Sequence, residues 1–369
     1  MTTEKITLPI EFWNEGRTKT LCPEDENGRV LECAYFSSIQ FTGHSKHYPM
    51  PLMYSHQDKK LRLPTIERFM SLGRGTVYEE WMRYDMELCS SWSCCDIPVF
   101  YFVYNTANYF HFIYDTLPYL YTYFEGKKIH PDLKLLMSPA EGKDDLYPFV
   151  WETLELLGIT RDDVIFLKQD VIYNYVLVGS SLTHGGLSTK PPHRFTFDII
   201  NRLTGDYKGP ERVYISRRTW THNKLDNIGT NYTERRRCMN EDQVAQIFSL
   251  YGFEEVFCEN LTMKEKIGIF SSAKYVAGPI GGGMANVLFC PPETKVLSIN
   301  SPLFFYVNDR LRHAMEHTQL THFDHTSFTD EKEETVDDLG SLSISGGMNS
   351  PWEVDLNKLS KILDEWLTS

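Results

Sequence analysis

Three groups of residues in this 369-residue chain have types and spacings that could do chemistry. The first lies in Tyr275–Phe289, YVAGPIGGGMANVLF, where a short apolar run leads into Gly278, Pro279 and the triplet Gly281, Gly282 and Gly283. Consecutive glycines let backbone N–H groups approach a ligand with no Cβ in the way, and a helix start behind them adds unpaired donors and a positive dipole end. Such a loop is an anion site, although a ligand-free strand-to-helix turn uses the same residues. The second group is Ser216, Arg217 and Arg218, at the end of the β-prone run Arg212–Ser216. Guanidinium forks match phosphate oxygens bidentately, so these arginines and the glycine loop are complementary parts of one diphosphate site. Arg237, Asn240 and Glu241, at the start of the next helical pattern, either complete that wall or form an ordinary surface salt bridge. The third group is Asn108, His111 and Asp115. On a helix from about Ala107 they share one face, with His111 and Asp115 one turn apart. A polar trio on an otherwise aromatic helix is costly to bury unpaired, so it is expected to face a cleft; a helix cap with a satisfied core histidine is the alternative.

The elements that must position these groups follow from periodicity. Ile97–Tyr104, IPVFYFVY, is a continuous β-prone run of the kind buried on both faces, and it feeds the helix carrying His111 and Asp115. Alternation then continues with a strand near Leu133–Met137, a helix near Tyr147–Leu157, a strand near Val164–Leu167 and another over Ile172–Gly179. Ser180–Pro192 reads as a loop and Arg194–Leu203 as an amphipathic helix. The Gly- and Pro-bearing stretch after it makes a natural boundary. Arg212–Ser216 restarts the pattern. Helices follow at Asn240–Tyr251 and at Thr262–Ser272, where Thr262 and Glu265 form a capping box. Strands follow at Phe253–Cys258 and Thr294–Asn300, and a helix over Val354–Trp366 closes the chain. This predicts an α/β protein of two Rossmann-like domains facing a cleft, residues 1–205 and 206–369, the last helix staying with the second domain or returning to the first. Residues 1–60 read only as loops and short strands at a domain edge, and the acidic run Asp330–Asp338 as a mobile loop.

Composition limits what the site can bind. Formal net charge is −13, so the average field repels nucleic acid and anionic membranes, and any anion site must be local. No run approaches the roughly 18 apolar residues of a membrane span, and the N-terminal residues lack a secretory layout, so a cytoplasmic location is expected. On that footing the sequons at Asn231 and Asn260 read as chance matches, and the eight cysteines as reduced thiols. No Asp-x-Asp pair stands where a divalent ion would be expected; Asp144-Asp145, Asp162-Asp163 and Asp337-Asp338 are adjacent pairs in loops. No GxGxxG follows the first strand, which argues against a dinucleotide oxidoreductase.

Taken together, Asn108-x-x-His111-x-x-x-Asp115, RVYISRR with Arg237-x-x-Asn240-Glu241, and Gly278…Gly281-Gly282-Gly283-Met284-Ala285-Asn286 resemble glycosyltransferase family 61, including bacterial homologues of capsular polysaccharide biosynthesis. The likeness spans roughly Pro98–Pro302. It implies a GT-B fold, inversion at the anomeric carbon, and a nucleotide-sugar donor, usually a UDP-sugar such as UDP-xylose or UDP-GlcNAc, held by the C-terminal domain. The N-terminal domain would then carry a glycan or glycoconjugate acceptor. Many eukaryotic members carry a histidine where this chain has Ile280. Inverting transfer needs one base, for which Asp115 or His111 fits, Asp115 being the commoner residue type. Arg217 and the glycine loop can stabilise the leaving diphosphate without a metal, so no cofactor is expected. A nucleotide- or polyanion-binding protein without turnover would keep the arginines and glycines but need no base.

Overall fold

The computed structural model describes residues 3–11, 18–23, 30–43, 51–64, 83–89, 92–102, 105–140, 142–183, 192–193, 195–205, 208–219, 227–229, 233–304, 307–314, 319–329, 335–336, 342–343 and 349–368. The stretch Ile66–Leu72, which reads as a helical or irregular piece, most of the loop at Ser180–Pro192, His44, His47, Asn231 and most of the acidic run at Asp330–Asp338 lie outside them. Two compact units emerge: residues 1–106, 111–146 and 158–199, and residues 107–110, 147–157 and 200–369. The first unit ends six residues before the sequence boundary at 205. It also cedes to the second unit both the start of the His111 helix and the helix Pro148–Leu156.

The first unit is mixed. Its six-stranded sheet runs Val164–Phe166, Lys134–Met137, Val99–Tyr101, Val176–Gly179, Leu31–Phe36, Lys19–Cys22. The first four strands are parallel, as their apolar runs predict, and the last two are antiparallel additions. A second, seven-stranded sheet is built mostly from the first hundred residues, where the sequence showed only loops and short strands. Its central strands Ile39–Thr42 and Leu52–Ser55 are buried along their whole length. They do so with Gln40, Thr42 and Ser55 among their residues, so neither alternation nor a continuous apolar run marks them. The expected strand Ile172–Gly179 breaks at Asn174. Val171–Tyr173 joins the seven-stranded sheet and Val176–Gly179 the six-stranded one.

The segment carrying His111 is not one α-helix. A single α-turn, Tyr109–His111, passes into a π-helix at Phe112–Thr116, a 3₁₀ turn at Leu117–Tyr119 and an α-helix at Leu120–Ile129. Pro118 has no N–H and crowds the preceding turn, and the changes of helix type absorb it. Phe112, Leu117 and Leu120 are fully buried.

The second unit is simpler. Five parallel strands stand in the spatial order Glu254–Val256, Arg212–Ile215, Tyr275–Pro279, Lys295–Ile299, Gln319–Phe323. In chain order this is 2-1-3-4-5, a doubly wound arrangement whose direction reverses between the first and third strands. Thr262 caps the helix Met263–Ser271 in the predicted box with Glu265. The closing helix, Leu356–Thr368, stays with this unit: Leu359, Leu363 and Trp366 pack with Tyr214, Phe248, Phe253 and Trp352.

Two features bind the first strand to its neighbours. Gly278 lies against Ile215, where an added Cβ would come within 2.7 Å of the Ile215 carbonyl oxygen. Glu241, first residue of the helix Glu241–Leu250 and 1% exposed, accepts hydrogen bonds on Oε1 from the Arg217 backbone N–H at 2.7 Å, Tyr214 at 3.2 Å and Ser216 at 3.3 Å. Gly278→Ala must force the two strands apart and is expected to cost about 1–3 kcal/mol, read as a lower urea midpoint at unchanged m. Burial holds the Glu241 carboxyl up at about 7, against the downward pull of Arg217, Tyr214 and Ser216. Between its ordinary 4.5 and about 7, the folded protein keeps a proton that the unfolded chain has lost, so this group's contribution to stability falls as pH rises through that window. Glu241→Gln has no such proton. Denaturation of both proteins from pH 4 to 8 is expected to show the downward slope in wild type and its loss in the variant; parallel curves would mean Glu241 ionises normally.

Candidate functional site

A doubly wound sheet leaves a crevice beyond the carboxyl ends of its strands where the strand order reverses. In the second unit a pocket opens at that point. Ile215, Ser216 and Arg217 come to it from the end of Arg212–Ile215, and Gly282 and Gly283 from the end of Tyr275–Pro279. Cys258 and Glu259 follow the strand Glu254–Val256, and Tyr109, Ile228, Thr233 and Lys266 close the wall. Of the residues expected to bind a ligand, Ser216, Arg217, Gly282 and Gly283 are thus brought together.

Arg217 is 9% exposed, and its Nη2 donates to the carbonyls of Thr233 at 3.2 Å and Arg235 at 2.6 Å. Burial pulls its pKa down while Glu241 and Glu259 pull it up, and an arginine stays charged under such opposing effects. The guanidinium occupies the space that a side chain at position 281 would need. Gly281 therefore serves the arginine and is not among the lining residues. Gly283 packs similarly, an added Cβ lying 2.9 Å from Ile215 Cγ2. The segment after the turn is a 3₁₀ helix, Gly282–Phe289, where the sequence allowed an α-helix to open.

The other expected ligand residues do not line this pocket. Arg218 makes a two-pronged ion pair with Glu255, at 2.5 and 2.6 Å, and reaches Asp242 at 3.2 Å. Those carboxylates hold its pKa above the usual arginine range. Asn240 brackets the backbone of Val354, donating to its carbonyl at 2.8 Å and accepting from its N–H at 3.0 Å. Arg237 is half-buried, and its backbone carbonyl accepts from the Trp352 N–H at 3.0 Å. Glu241 holds the Arg217 backbone. Asn286, fully buried, accepts from the Tyr109 hydroxyl at 2.5 Å and donates to Gly283 O at 2.8 Å. The motif residues Asn240, Glu241 and Asn286 thus shape the pocket's supports.

Asn108 and His111, read as one face, fall in different units. Asn108 bridges to Gly229 in the second unit. In the first unit His111 Nδ1 lies 2.7 Å from Asp115 Oδ2, and Asp115 Oδ1 accepts from the Thr183 hydroxyl at 2.9 Å. The Asp115 side chain is 0% exposed and that of His111 35% exposed. The expectation that the whole trio faces open space therefore fails for Asp115: the carboxylate is satisfied from both sides in the interior, and the imidazole is the accessible member. A carboxylate can only accept, so Nδ1 carries the proton and Nε2 is left as the basic nitrogen.

Sequence reasoning missed Thr183, Tyr109, Glu259 and Lys266. Lys266 could have drawn notice as a lysine on the apolar stripe of the Thr262–Ser272 helix, beside Ile267 and Phe270. It is 0% exposed, donates to Asn227 O at 3.0 Å, and holds its ammonium 4.4 Å from the centre of the Tyr109 ring. In two of the adjacent acidic pairs one member makes an ion pair, Asp145 with Arg161 at 3.0 Å and Asp163 with Lys127 at 2.5 Å, while Asp337-Asp338 lies outside the described residues. Among the described residues no three His, Cys, Asp or Glu side chains gather as a metal site, and no helix is long and apolar enough to cross a membrane.

No curated protein matches the chain. The family model Glycosyltransferase 61 matches residues 109–297, more than half of the sequence, from Tyr109 through the glycine turn to the following strand. A buried arginine and a glycine turn at a switch point, together with a histidine–aspartate pair, therefore sit within a recognised domain, and the chain belongs to glycosyltransferase family 61.

Proposed function

We propose that the protein is an inverting glycosyltransferase that holds the diphosphate of a nucleotide sugar, a UDP-sugar such as UDP-xylose or UDP-GlcNAc, in the pocket at the switch point of the second unit. The observation that carries this reading is the buried Arg217 guanidinium opposite the Gly282–Gly283 backbone, two phosphate-binding devices in one pocket. The acceptor is a hydroxyl of a glycan, and a GT-B arrangement of the two units is part of the proposal, as are independence from metal and a cytoplasmic setting.

In this mechanism the acceptor oxygen attacks the anomeric carbon from the face opposite the diphosphate. A new C–O bond forms as the bond to the leaving phosphate oxygen breaks, and the electron pair departs with the diphosphate. The acceptor proton goes to the base. The sequence favoured Asp115 for that role, but its lack of any exposed surface leads us to assign the base to His111, with Asp115 and Thr183 orienting the imidazole. Tyr109 and His111 share one helical turn, so a pocket-lining residue and the proposed base are two residues apart along the chain.

Purified protein tested against a panel of nucleotide sugars is expected to hydrolyse or transfer from a UDP-sugar with inversion, and to keep doing so in EDTA. Binding of UDP with no turnover of any donor would favour a non-catalytic binding protein, and no binding of any nucleotide would remove the reading. Arg217→Ala is expected to weaken UDP binding by about 1.5–3 kcal/mol in calorimetry. The variant should also melt earlier, because Thr233 and Arg235 lose their donor. Gly282→Val, which puts a branched side chain into the pocket, should lower UDP affinity at least tenfold in a folded protein; full affinity would make the turn purely structural. His111→Ala should cost about 10²–10⁴-fold in kcat and abolish the acidic limb of the pH–rate profile. Asp115→Asn should keep that limb at reduced rate. The opposite pattern would return the base to Asp115.

A further inference from the structure

Lysine is among the residue types least often fully buried, and a buried ammonium ordinarily has a carboxylate beside it. Lys266 has none: among the described residues no carboxylate oxygen lies within ion-pair distance of its Nζ, and its one hydrogen bond goes to the neutral Asn227 carbonyl. The Tyr109 ring adds a cation–π contact, which holds the charge in place without neutralising it. That ring is itself pinned, by its hydroxyl to Asn286 and by edge-on packing against Phe149 at 5.5 Å. An ammonium with unused donors is therefore fixed at the wall of the pocket that also contains Arg217 and the glycine backbone.

We propose that Lys266 is a second cationic ligand of the donor diphosphate, placed to stabilise the charge that develops on the leaving phosphate. The proposal rests on the diphosphate reading above. In it Lys266 keeps its proton throughout: as the bond from the anomeric carbon to the phosphate oxygen breaks, the electron pair settles on that oxygen, and the ammonium and the guanidinium share the charge. With Glu259 as the carboxylate among the lining residues, the wall carries two cations against one anion, a local reversal of the chain's negative average. Such a site supplies electrostatically what a divalent ion supplies in other transferases.

The environment of Lys266 gives the proposal a signature beyond activity. Burial lowers its pKa to about 8, opposed by Cys258, Glu152, Glu259 and Glu265; Arg217 and the Tyr109 phenol also face the pocket. Burial pushes the Cys258 thiol up to about 12 and holds the Tyr109 phenol well above its ordinary value, so neither gains charge near pH 8. As pH rises through about 8 the free protein progressively loses the Lys266 proton, and a bound diphosphate favours its return. UDP binding at pH 8.5 should therefore take up a proton, and affinity should fall as pH rises further, the phosphates of UDP being fully ionised there already.

The test compares wild type, Lys266→Met and Lys266→Arg by calorimetry with UDP, uridine and inorganic pyrophosphate, in buffers of different ionisation enthalpy. Lys266→Met is expected to weaken UDP and pyrophosphate by about ten- to a hundredfold, leave uridine unchanged and lose the proton uptake, while Lys266→Arg recovers part of the affinity. Equal losses for uridine and UDP, or none for either phosphate ligand, would overturn the assignment and leave Lys266 a packing residue. Should Lys266→Met fail to fold, the wild-type measurement decides alone: UDP binding without proton uptake at pH 8.5 overturns it. Pyrophosphate separates the two ideas, since wild type that binds pyrophosphate through Lys266 but no UDP would uphold this inference and defeat the nucleotide-sugar reading.

Discussion

The second unit depends on how closely its third strand approaches its first. Gly278 and Gly283 both lie against Ile215, and Gly281 against the Arg217 guanidinium. The glycines that look in sequence like a loop stripped for a ligand are thus largely a demand of two residues on the neighbouring strand. Removing the Cβ atoms lets the two strand ends come together, and the crevice behind them is where Arg217 can be buried while still reaching a pocket. Only Gly282 and Gly283 of the triplet line that space. The same residues that bring the backbone close also shape the turn from which the 3₁₀ helix Gly282–Phe289 starts.

Burying charge is the cost of this arrangement, and the two cations meet it differently. Arg217 is embedded among acceptors, two carbonyls through its side chain and Glu241 through its backbone. Lys266 has a carbonyl and an aromatic face. The first is a preorganised donor whose geometry survives without a ligand. The second has donors with no acceptor beside them, so its charge is less fully offset within the protein. Sites that sacrifice stability for a poised charge are a recurring feature of enzymes.

The first unit places its histidine–aspartate pair through a distortion. Pro118 interrupts the helix, and the chain responds with π and 3₁₀ turns instead of a clean end. The π segment carries Asp115 inward, where Thr183 meets one oxygen and His111 the other. The carboxylate is thereby held from both sides in the interior, and the imidazole it pairs with has the accessible surface.

Much of this was legible in the residues themselves. Parallel strands declared themselves through continuous apolar runs, as at Val99–Tyr101 and Tyr275–Pro279, because a strand covered on both faces has no polar side to show. The Thr262–Glu265 box marked its helix because capping is a local matter of one side chain and one turn of backbone. The four-residue spacing of His111 and Asp115 likewise determined that they could pair. The seven-stranded sheet was invisible, since Gln40, Thr42 and Ser55 are buried by partners distant in sequence. Which arginine enters the pocket was equally a tertiary decision: adjacent in sequence, Arg217 finds Gly281 and buried carbonyls, whereas Arg218 finds Glu255 and Asp242. The burial of Asp115 needed Thr183, sixty-eight residues on, and the place of Lys266 at the pocket wall needed Tyr109 over its ammonium. Sequence determines which groups exist and which can meet within a turn of chain; long-range packing decides which of them keep water, and so which are left with charge to offer.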